Sequence, residues 1–179
     1  MMFSTKRIHL RKVEKCDAEN YHKWRNDMEV MISTNLSLDL NTMEDTRSFV
    51  EDVLMSSSSS KSYIIVERED EIPIGITSLI HIDYKNRNAE AIIDIGEKEY
   101  WGKGYGSEAF RLLLNYAFKE LNLHRVSLKV FSFNEKAMNL YKKLGFQEEG
   151  ISRQSLYRNG QWNDIIHMGI LKEEYDKKK

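Results

Sequence analysis

Three glycines within five residues, Gly102, Gly104 and Gly106, are the feature of this 179-residue chain that points most directly to chemistry. An aliphatic run over 91–95 precedes them, and apolar residues at helical spacing follow as far as Leu121. A strand, a loop with few side chains and a helix N-terminus together hold phosphate, because free N–H groups and the positive end of the helix dipole point into the loop. The spacing therefore predicts a phosphate-binding loop between a buried strand and a helix.

Two familiar phosphate motifs fit this loop poorly. A nucleotide-hydrolase loop needs Lys and then Ser or Thr directly after its last glycine, whereas Lys103 stands between two glycines. A dinucleotide fingerprint has its third glycine later than Gly106 and an acidic residue about 20 positions on, where residues 121–126 carry no acid. The loop alone does not identify the phosphate compound that it binds.

The charge balance and the apolar runs restrict the class of protein. Lys and Arg number 27 and Asp and Glu number 28, and a chain so near neutrality is not a general nucleic-acid binder. No apolar run approaches the roughly 18 residues of a membrane span, and residues 1–11 lack a signal-peptide core. We therefore expect a cytoplasmic protein with no nucleic-acid or membrane partner, folded as a single domain over 1–179. The one cysteine, Cys16, excludes an internal disulfide, and we interpret it as a small semi-buried residue rather than a nucleophile.

Residue periodicity predicts the elements that must position the loop. Strands are predicted over 7–13, 63–67, 74–82, 91–95, 126–130, 146–149, 155–158 and 164–171. Helices are predicted after Asp17, after Thr42, between the glycine loop and Leu121, and from Asn134 to Leu144, with a polar serine linker at 56–60. The order β-α-α-β-β-β-α-β-α-β-β indicates an α/β (α+β) fold, a mixed twisted sheet of about seven strands with helices on both faces.

Local signals refine these elements. The aliphatic run 91–95 is expected to be buried on both faces. Asp17 is predicted to cap the first helix, Asn134 to cap the last, and Asn159-Gly160 to form a two-residue hairpin turn. The stretch from Thr42 to Asp45 reads as a capping box that opens the second helix. The residues of that helix expected to face the core are Phe49, Val50, Val53 and Leu54.

Three parts of the chain resemble motifs of the GCN5-related N-acetyltransferases. The loop is similar to motif A, Gln/Arg-x-x-Gly-x-Gly/Ala, with Gly104 and Gly106 matching and Trp101 in place of Gln or Arg. Residues 122–146 contain three segments that resemble motif B. The ending 157–168 is similar to the branch that holds the ribosomal-protein N-terminal acetyltransferases and the bacterial spermidine acetyltransferases. The resemblance runs from about residue 7 to residue 171 and implies the acetyltransferase (GNAT) fold.

The resemblance implies acetyl-CoA as the cosubstrate and no metal. In that family the loop amides bind the pyrophosphate of coenzyme A, and a splayed central strand leaves an N–H unpaired near Ile93–Ile95 for the oxyanion of the tetrahedral intermediate. Asn134 would contact the pantetheine or adenine portion. The residues expected to bind the cofactor are Ile93, Asp94, Ile95, Trp101, Gly102, Lys103, Gly104, Tyr105, Gly106, Ser107 and Asn134.

Two residues are candidates for proton transfer. An amine with a pKa near 10.4 is protonated at pH 7 and must lose a proton before it attacks a thioester. The resemblance makes Glu90 the base, acting through water, and the structural alternative is a strand-end carboxylate paired with a residue such as Arg87. The resemblance makes Tyr141 the acid that protonates the leaving thiolate, and the alternative is an ordinary core aromatic.

The acceptor stays open at the level of sequence. The resemblance implies an N-acetyltransferase whose partner is a small-molecule amine, such as spermidine, spermine or an amino sugar, or a peptide N-terminus. Acids around the second helix would attract a polycation or simply form a solvated face; they are Asp39, Glu44, Asp45, Glu51 and Asp52.

Three further inferences concern metal, assembly and class. His81, His124 and His167 are interpreted as structural, because nothing pairs them at ligand spacing. The family resemblance implies a homodimer or a larger homo-oligomer formed through the C-terminal strands. The alternative of another class is a CoA-binding regulatory module without turnover, against which the presence of both Glu90 and Tyr141 counts.

Overall fold

The computed structural model describes residues 2–177, so residues 1, 178 and 179 of the single domain predicted over 1–179 lie outside the described residues. The strands are β1 (Ile8–Lys12), β2 (Lys61–Glu67), β3 (Ile72–Asp83), β4 (Asn88–Ile95), β5 (Arg125–Phe131), β6 (Gln147–Arg158) and β7 (Gln161–Leu171). The helices are α1 (Ala18–Asn26), α2 (Met28–Met31), α3 (Met43–Phe49), α4 (Tyr105–Lys119), α5 (Glu135–Leu144) and α6 (Lys172–Lys177). No helix among residues 2–177 is long and apolar enough to cross a membrane.

The strands form one seven-stranded sheet in the order β1-β2-β3-β4-β5-β7-β6. Every neighbouring pair is antiparallel except β4 and β5, which run parallel. That parallel pair is joined only where Asn88–Glu90 meets Arg125–Ser127. Beyond these residues the two strands separate, so the middle of the sheet opens into a gap, and the predicted mixed sheet of the GNAT fold is confirmed.

Apolar packing covers both faces of the sheet. On one face α4 inserts Phe110, Leu113 and Phe118, each with no exposed surface, into the larger core cluster. On the other face Trp24 of α1 packs with Ile64 and other residues in a smaller cluster. Burying apolar side chains of this size stabilises the fold by about 1.5–3 kcal/mol each. The two clusters thus hold helices against both faces of the sheet.

The prediction that 91–95 is buried on both faces is wrong. Only Ala89 and Ala91 of β4 are fully buried, whereas Ile92 is 38% exposed and the following residues through Ile95 are half-buried. The physical reason is the separation of β4 from β5, because a strand that borders a gap keeps part of its surface for whatever fills the gap. An aliphatic run alone cannot distinguish a core strand from one that forms an apolar cleft wall.

Asp17 does not cap α1 with its side chain, contrary to the prediction. Its carboxylate is 2% exposed and accepts hydrogen bonds from Arg11 Nη2 at 2.7 Å and from the Glu14 amide at 2.8 Å. Those partners occupy the carboxylate, and a 3₁₀ turn (Lys15–Asp17) leads directly into α1. The neighbouring Cys16 is exposed rather than semi-buried.

The other local signals are largely confirmed. Thr42 and Asp45 form the capping box of α3, and the Asn159-Gly160 turn joins β6 to β7 with both residues in the left-handed region, at φ 51° and 77°. Val50 is buried, but Phe49 and Val53 are 40% and 43% exposed, contrary to expectation. The chain winds as a π-helix over Val50–Met55, whose wider turn changes the direction of successive side chains, so that Val53 faces outward while Leu54 packs against the core as predicted. The two strands predicted over 146–149 and 155–158 are one bulged strand, β6.

Candidate active site

A cleft of about 1160 Å³ occupies the region where β4 and β5 part. The last residues of β4, the glycine loop, the N-terminal part of α5, the chain after α2 and the β6–β7 turn surround it. The predicted site residues that line it are Ile93, Asp94, Ile95, Trp101, Gly102, Gly104, Tyr105, Gly106, Ser107, Asn134 and Tyr141. Lys103 and Glu90 are not among the lining residues. The structure therefore brings together residues that lie up to 48 positions apart in the sequence.

The glycine loop presents the N-terminus of α4 to the cleft. Gly104 lies in the left-handed region at φ 86°, a conformation that glycine adopts at little cost, and this turn sets the direction of the helix. Helical bonding starts where the Glu108 amide donates to the Gly104 carbonyl at 3.1 Å. The amides of Tyr105, Gly106 and Ser107 precede that bond and have no partner within the helix. Three N–H groups and the helix dipole are thus available to an anion.

Arg7, which the sequence analysis missed, holds this loop from the start of the chain. Its guanidinium donates to the Lys103 carbonyl at 3.1 Å and to the Glu108 carboxylate at 2.6 Å. It also lies 4.4 Å from the centre of the Tyr105 ring, in a cation–π contact. Lys103 therefore contributes a backbone carbonyl to the loop's support. No local sequence signal could have found Arg7, because 96 residues separate it from Lys103.

Trp101, the departure from the family pattern, ties the loop to the end of β4. Its indole Nε1 donates a hydrogen bond of 2.7 Å to the Ile95 carbonyl. That carbonyl lies on the edge of β4 from which β5 has separated, so the indole satisfies a group that a neighbouring strand would otherwise satisfy. The aromatic residue thus has a structural function at the mouth of the cleft.

The open edge of β4 leaves the Ile93 amide directed toward the gap. The Ile92 carbonyl faces β3, where it accepts from Thr77 Oγ1 at 2.9 Å, and the Gly96 amide donates to the Ile74 carbonyl at 2.9 Å. Successive residues of a strand direct their backbone groups to opposite edges. Ile93 and Ile95 consequently direct theirs away from β3, which is the arrangement that an oxyanion-binding N–H needs.

Tyr141 belongs both to the core and to the cleft wall. Its ring packs 5.4 Å from that of Phe110 and 6.0 Å from that of Phe146, and the residue is only 9% exposed. Burial raises the pKa of the Tyr141 hydroxyl above its usual range, and the nearby negative charge of Asp94 raises it further. The hydroxyl therefore keeps its proton at neutral pH and can donate it.

Glu90 is not a lining residue of the cleft, and its carboxylate is paired with a cation. Its Oε2 lies 3.2 Å from Lys129 Nζ and 3.6 Å from His81 Nδ1. Arg87, the partner considered in the structural alternative, instead donates to the Asn122 carbonyl at 2.9 Å. An ion pair in this position is the arrangement expected of a strand-end carboxylate, and the role of base for Glu90 stays a prediction.

Asn134 joins the cofactor side of the cleft to the chain after α2. Its Oδ1 accepts from the Ala137 amide at 3.2 Å and caps α5, as predicted. Its Nδ2 donates to the Ser33 carbonyl at 3.3 Å, a contact that the sequence did not indicate. Gly145 ends α5 at φ 109°, so both ends of the helix that carries Tyr141 are fixed.

The acids of the second helix do not form the cleft wall. None of Asp39, Glu44, Asp45, Glu51 and Asp52 is among the lining residues. Asp45 is engaged in the capping box, and Glu51 binds Lys15 at 2.7 Å. The acidic residues that do line the cleft are Glu29, Asp94 and Glu135.

Asp94 stands out among these acids because, although the residue is half-buried, its carboxylate oxygen Oδ1 is buried. Its Oδ1 has no hydrogen-bond partner among residues 2–177. Burial raises the pKa of the Asp94 carboxyl above its usual range, and Thr34 and Arg25 only partly offset the effect. Sequence reasoning included Asp94 only as part of the β4 backbone, since nothing in an aliphatic run shows how deeply a single acid will lie.

Residues 2–177 contain no group of three or more His, Cys, Asp or Glu side chains that could hold a metal ion. The structural interpretation of His81, His124 and His167 stays a prediction. His167 Nε2 lies 2.7 Å from the Ser152 hydroxyl on the neighbouring strand. His22, which the sequence did not single out, lies 3.0 Å from Thr46 Oγ1 and joins α1 to α3.

The parallel strands part beside a helix N-terminus, and the resulting cleft can hold an anion next to a buried tyrosine. The sequence profile described as "Acetyltransferase (GNAT) domain" matches residues 7–147. The chain therefore belongs to the GNAT acetyltransferase family and is an acyltransferase, as the motif resemblance predicted.

The relatives include enzymes that act on amines. The chain is 38% identical over 116 residues to the spermidine N(1)-acetyltransferase of Escherichia coli, covering 65% of this chain and 61% of the relative. It is 41% identical over 105 residues to the putative ribosomal N-acetyltransferase YdaF of Bacillus subtilis, covering 59% of this chain and 57% of the relative. Among solved structures, spermidine N-acetyltransferase from Vibrio cholerae in complex with CoA and spermine is similar with a TM-score of 0.88 and 28% identity, covering 96% of this chain and 99% of that one.

Proposed function

We propose that this protein is an acetyl-CoA-dependent N-acetyltransferase that moves the acetyl group directly to a primary amine, with spermidine or spermine as the acceptor. The observation that carries the proposal is a cleft lined by the free α4 N-terminus, by Tyr141 and by the acids Glu29, Asp94 and Glu135. The first binds phosphate and the second donates a proton. Glu29 is paired with Lys98 at 2.8 Å, and the cleft also carries Lys136, Lys143 and Arg158, so we assign the attraction of a cation to Asp94. The likeness to the Vibrio cholerae enzyme, solved with CoA and spermine, supports the same assignment.

The role that we propose for each residue follows from its position in the cleft. The amides of Tyr105, Gly106 and Ser107 would hold the pyrophosphate of acetyl-CoA. The Ile93 amide would stabilise the oxyanion that forms when the amine attacks the thioester carbonyl. Tyr141 would protonate the departing thiolate. Bringing the two substrates into one cleft lowers the barrier by reducing the entropy that their encounter must lose.

A second acceptor, a protein N-terminus, is favoured by the 41% identity to the putative ribosomal N-acetyltransferase of Bacillus subtilis. A peptide amine also has a pKa that requires loss of a proton, near 7.7–8.0. The same donor site and the same acid serve both reactions. The two acceptors differ in charge, because a polyamine carries several positive charges and a peptide end need carry only one.

A panel of acceptors tests the proposed function. Release of the CoA thiol is measured with spermidine, spermine, an amino sugar and peptides that carry a free N-terminus, and product mass identifies the acetylated nitrogen. We expect turnover with a polyamine, and acetyl-CoA consumption that depends on the added amine. Turnover with the peptides alone would replace the polyamine by a protein N-terminus. Absence of turnover with every amine, in a protein that binds acetyl-CoA, would favour a CoA-binding regulatory module instead.

We also propose that the protein works in the cytoplasm as a homodimer or larger assembly formed through its C-terminal strands. Strand β6 supports this, because it is the edge of the sheet and is largely exposed along its 12 residues. An unpaired strand edge is a ready surface for another chain. Sedimentation at several concentrations measures the assembly directly.

A further inference from the structure

The amine that the proposed function requires must lose a proton inside the cleft, and the base for this step is the least defined part of the site. Glu90 is paired with Lys129 at 3.2 Å and is not a lining residue. Glu90 and Asp94 lie on the same face of β4, because strand side chains alternate, and are separated by about 13 Å along the strand. Of these two carboxylates, only Asp94 lines the cleft.

We propose that the Asp94 carboxylate is a catalytic group of the acceptor side, which binds the ammonium of the incoming amine and takes its proton. The inference rests on the proposed function and adds a residue to it. Two geometric observations carry it: Asp94 lines the same cleft as Tyr141, and its buried Oδ1 has no hydrogen-bond partner among residues 2–177. A buried carboxylate oxygen without a donor is costly, and a substrate ammonium would satisfy it.

The surroundings of Asp94 suit a proton acceptor more than a structural ion pair. The groups that interact with it come from three elements: Tyr21 and Arg25 of α1, Thr34 of the chain after α2, and Tyr141 of α5. Its partner in the β3 register is Ile76, which brings no charge. Burial outweighs the stabilising effect of Thr34 and Arg25, so the pKa of Asp94 is raised. A base whose pKa lies closer to the working pH holds the abstracted proton better.

The proton balance uses Asp94 and Tyr141 in sequence. The substrate ammonium gives one proton to Asp94 Oδ1, and its nitrogen lone pair then forms a bond to the thioester carbonyl carbon. When the tetrahedral intermediate collapses, the C–S bond breaks and its electron pair goes to sulfur. Tyr141 gives its hydroxyl proton to that sulfur and regains a proton from the nitrogen of the intermediate. Asp94 returns its proton to water, so the products are the amide, the free thiol and one released proton.

The test compares Asp94→Asn with Glu90→Gln across a pH series. Asparagine keeps the shape of Asp94 but cannot take the proton, so we expect kcat/KM for the amine to fall about 10²-fold at pH 7. The rise of kcat/KM with pH that reports the base should disappear in Asp94→Asn and persist in Glu90→Gln. Calorimetry should give an acetyl-CoA Kd within about twofold of wild type for Asp94→Asn, which shows an intact fold and cofactor site.

A matched control is Asp83→Asn, because Asp83 lies at the exposed end of β3 and accepts from the Asn86 amide at 2.9 Å, outside the cleft lining. Its kcat/KM should match wild type. An Asp94→Asn enzyme that keeps its pH dependence and its kcat/KM within about threefold would overturn the proposal. Loss of the pH dependence in Glu90→Gln alone would transfer the role to Glu90 and overturn it as well.

A second measurement separates failure of this inference from failure of the proposed function. Spermidine binding to the protein–CoA complex is measured by calorimetry, which needs no turnover. We expect Asp94→Asn to weaken that binding at least tenfold, because an ammonium–carboxylate contact is lost. If wild type turns over no amine but shows this difference, the proposed function fails and the Asp94 contact stands. Equal spermidine affinity in the two proteins, or no binding to wild type, would overturn the Asp94 proposal.

Discussion

At the scale of single residues, Tyr141 shows how one side chain can belong to the core and to the wall of a cleft. Its ring packs against Phe110 and Phe146, and the residue also lines the cleft. The catalytic reading and the core reading of the sequence are therefore compatible. A substitution that removes only the hydroxyl separates them.

We predict that Tyr141→Phe lowers kcat by about 10²-fold, because the leaving thiolate loses its proton donor. The acetyl-CoA Kd and the melting temperature should change little, since the ring is retained. Because burial raises the pKa of this hydroxyl, the wild-type rate should not decline until the pH exceeds about 10, the ordinary tyrosine pKa. Stopped-flow measurement of thiol release under single turnover isolates the chemical step.

Tyr63→Phe is the matched control for this prediction. Tyr63 is also buried, at 4% exposure, but it lies in β2 and is not a lining residue of the cleft. Its kcat should stay at the wild-type value. A Tyr141→Phe enzyme with an unchanged single-turnover rate would reduce Tyr141 to a packing residue.

At the scale of elements, the glycine loop depends on Arg7, which lies 96 positions before Lys103 in the chain. Arg7 neutralises Glu108, whose carboxylate stands in the first turn of α4. We predict that Arg7→Gln weakens acetyl-CoA binding about fivefold, a change of about 1 kcal/mol. Two effects combine: the loop loses a support at the Lys103 carbonyl, and an uncompensated carboxylate then lies close to the bound phosphate.

The origin of the effect can be resolved with two further variants, again by calorimetry. Lys6→Gln removes the same charge one position earlier and should leave the Kd unchanged, because Lys6 is exposed and, unlike Arg7, makes no hydrogen bond to the loop among the described residues 2–177. Adding Glu108→Gln to Arg7→Gln should recover part of the affinity if repulsion contributes. An Arg7→Gln affinity equal to wild type would remove Arg7 from the cofactor site.

The elements also show which parts of this structure a sequence can predict. The Asn134 cap, the Thr42–Asp45 box and the Asn159-Gly160 turn were correct because each signal depends on residues a few positions apart. The exposed face of β4 was missed, since it follows from the separation of β4 from β5. The prediction for Asp17 failed for a similar reason, because its carboxylate accepts a hydrogen bond from Arg11 of β1 instead of capping α1.

The residues of the candidate site also fall into those that the sequence could predict and those that it could not. The loop, Asn134 and Tyr141 were recognisable from motifs, and the structure places all of them around one cleft. Arg7 and the burial of Asp94 were not recognisable, because both depend on contacts between distant elements. Motifs of consecutive residues indicate which groups could take part in the chemistry. The burial of a side chain and its contacts with distant elements depend on the folded chain.

At the scale of the whole molecule, the cleft should lower the free energy of unfolding. A carboxylate that is buried without a full set of partners costs more than a neutral amide of the same shape. Asp94→Asn should therefore melt at a higher temperature than wild type at pH 7, with a shift of roughly 2–4 °C for each 1 kcal/mol of stabilisation. A site that binds a charged substrate commonly gives up stability in this way.

The pH dependence of this shift follows from the direction of the pKa change. The folded-state pKa of Asp94 is raised by burial, so the charged form destabilises the fold above that pKa, and protonation relieves the cost as the pH falls toward the unfolded value near 3.9. The melting difference between Asp94→Asn and wild type should thus be largest at neutral pH and should approach zero in acid.

Asp83 gives the opposite sign, because hydrogen bonds from Asn86 lower its pKa. Asp83→Asn should melt below wild type at neutral pH, and its deficit should vanish as the pH falls through the lowered pKa. Calorimetric scans from pH 7 to pH 4 compare the three proteins, and an Asp94→Asn melting difference with no dependence on pH would show that Asp94 carries no buried charge.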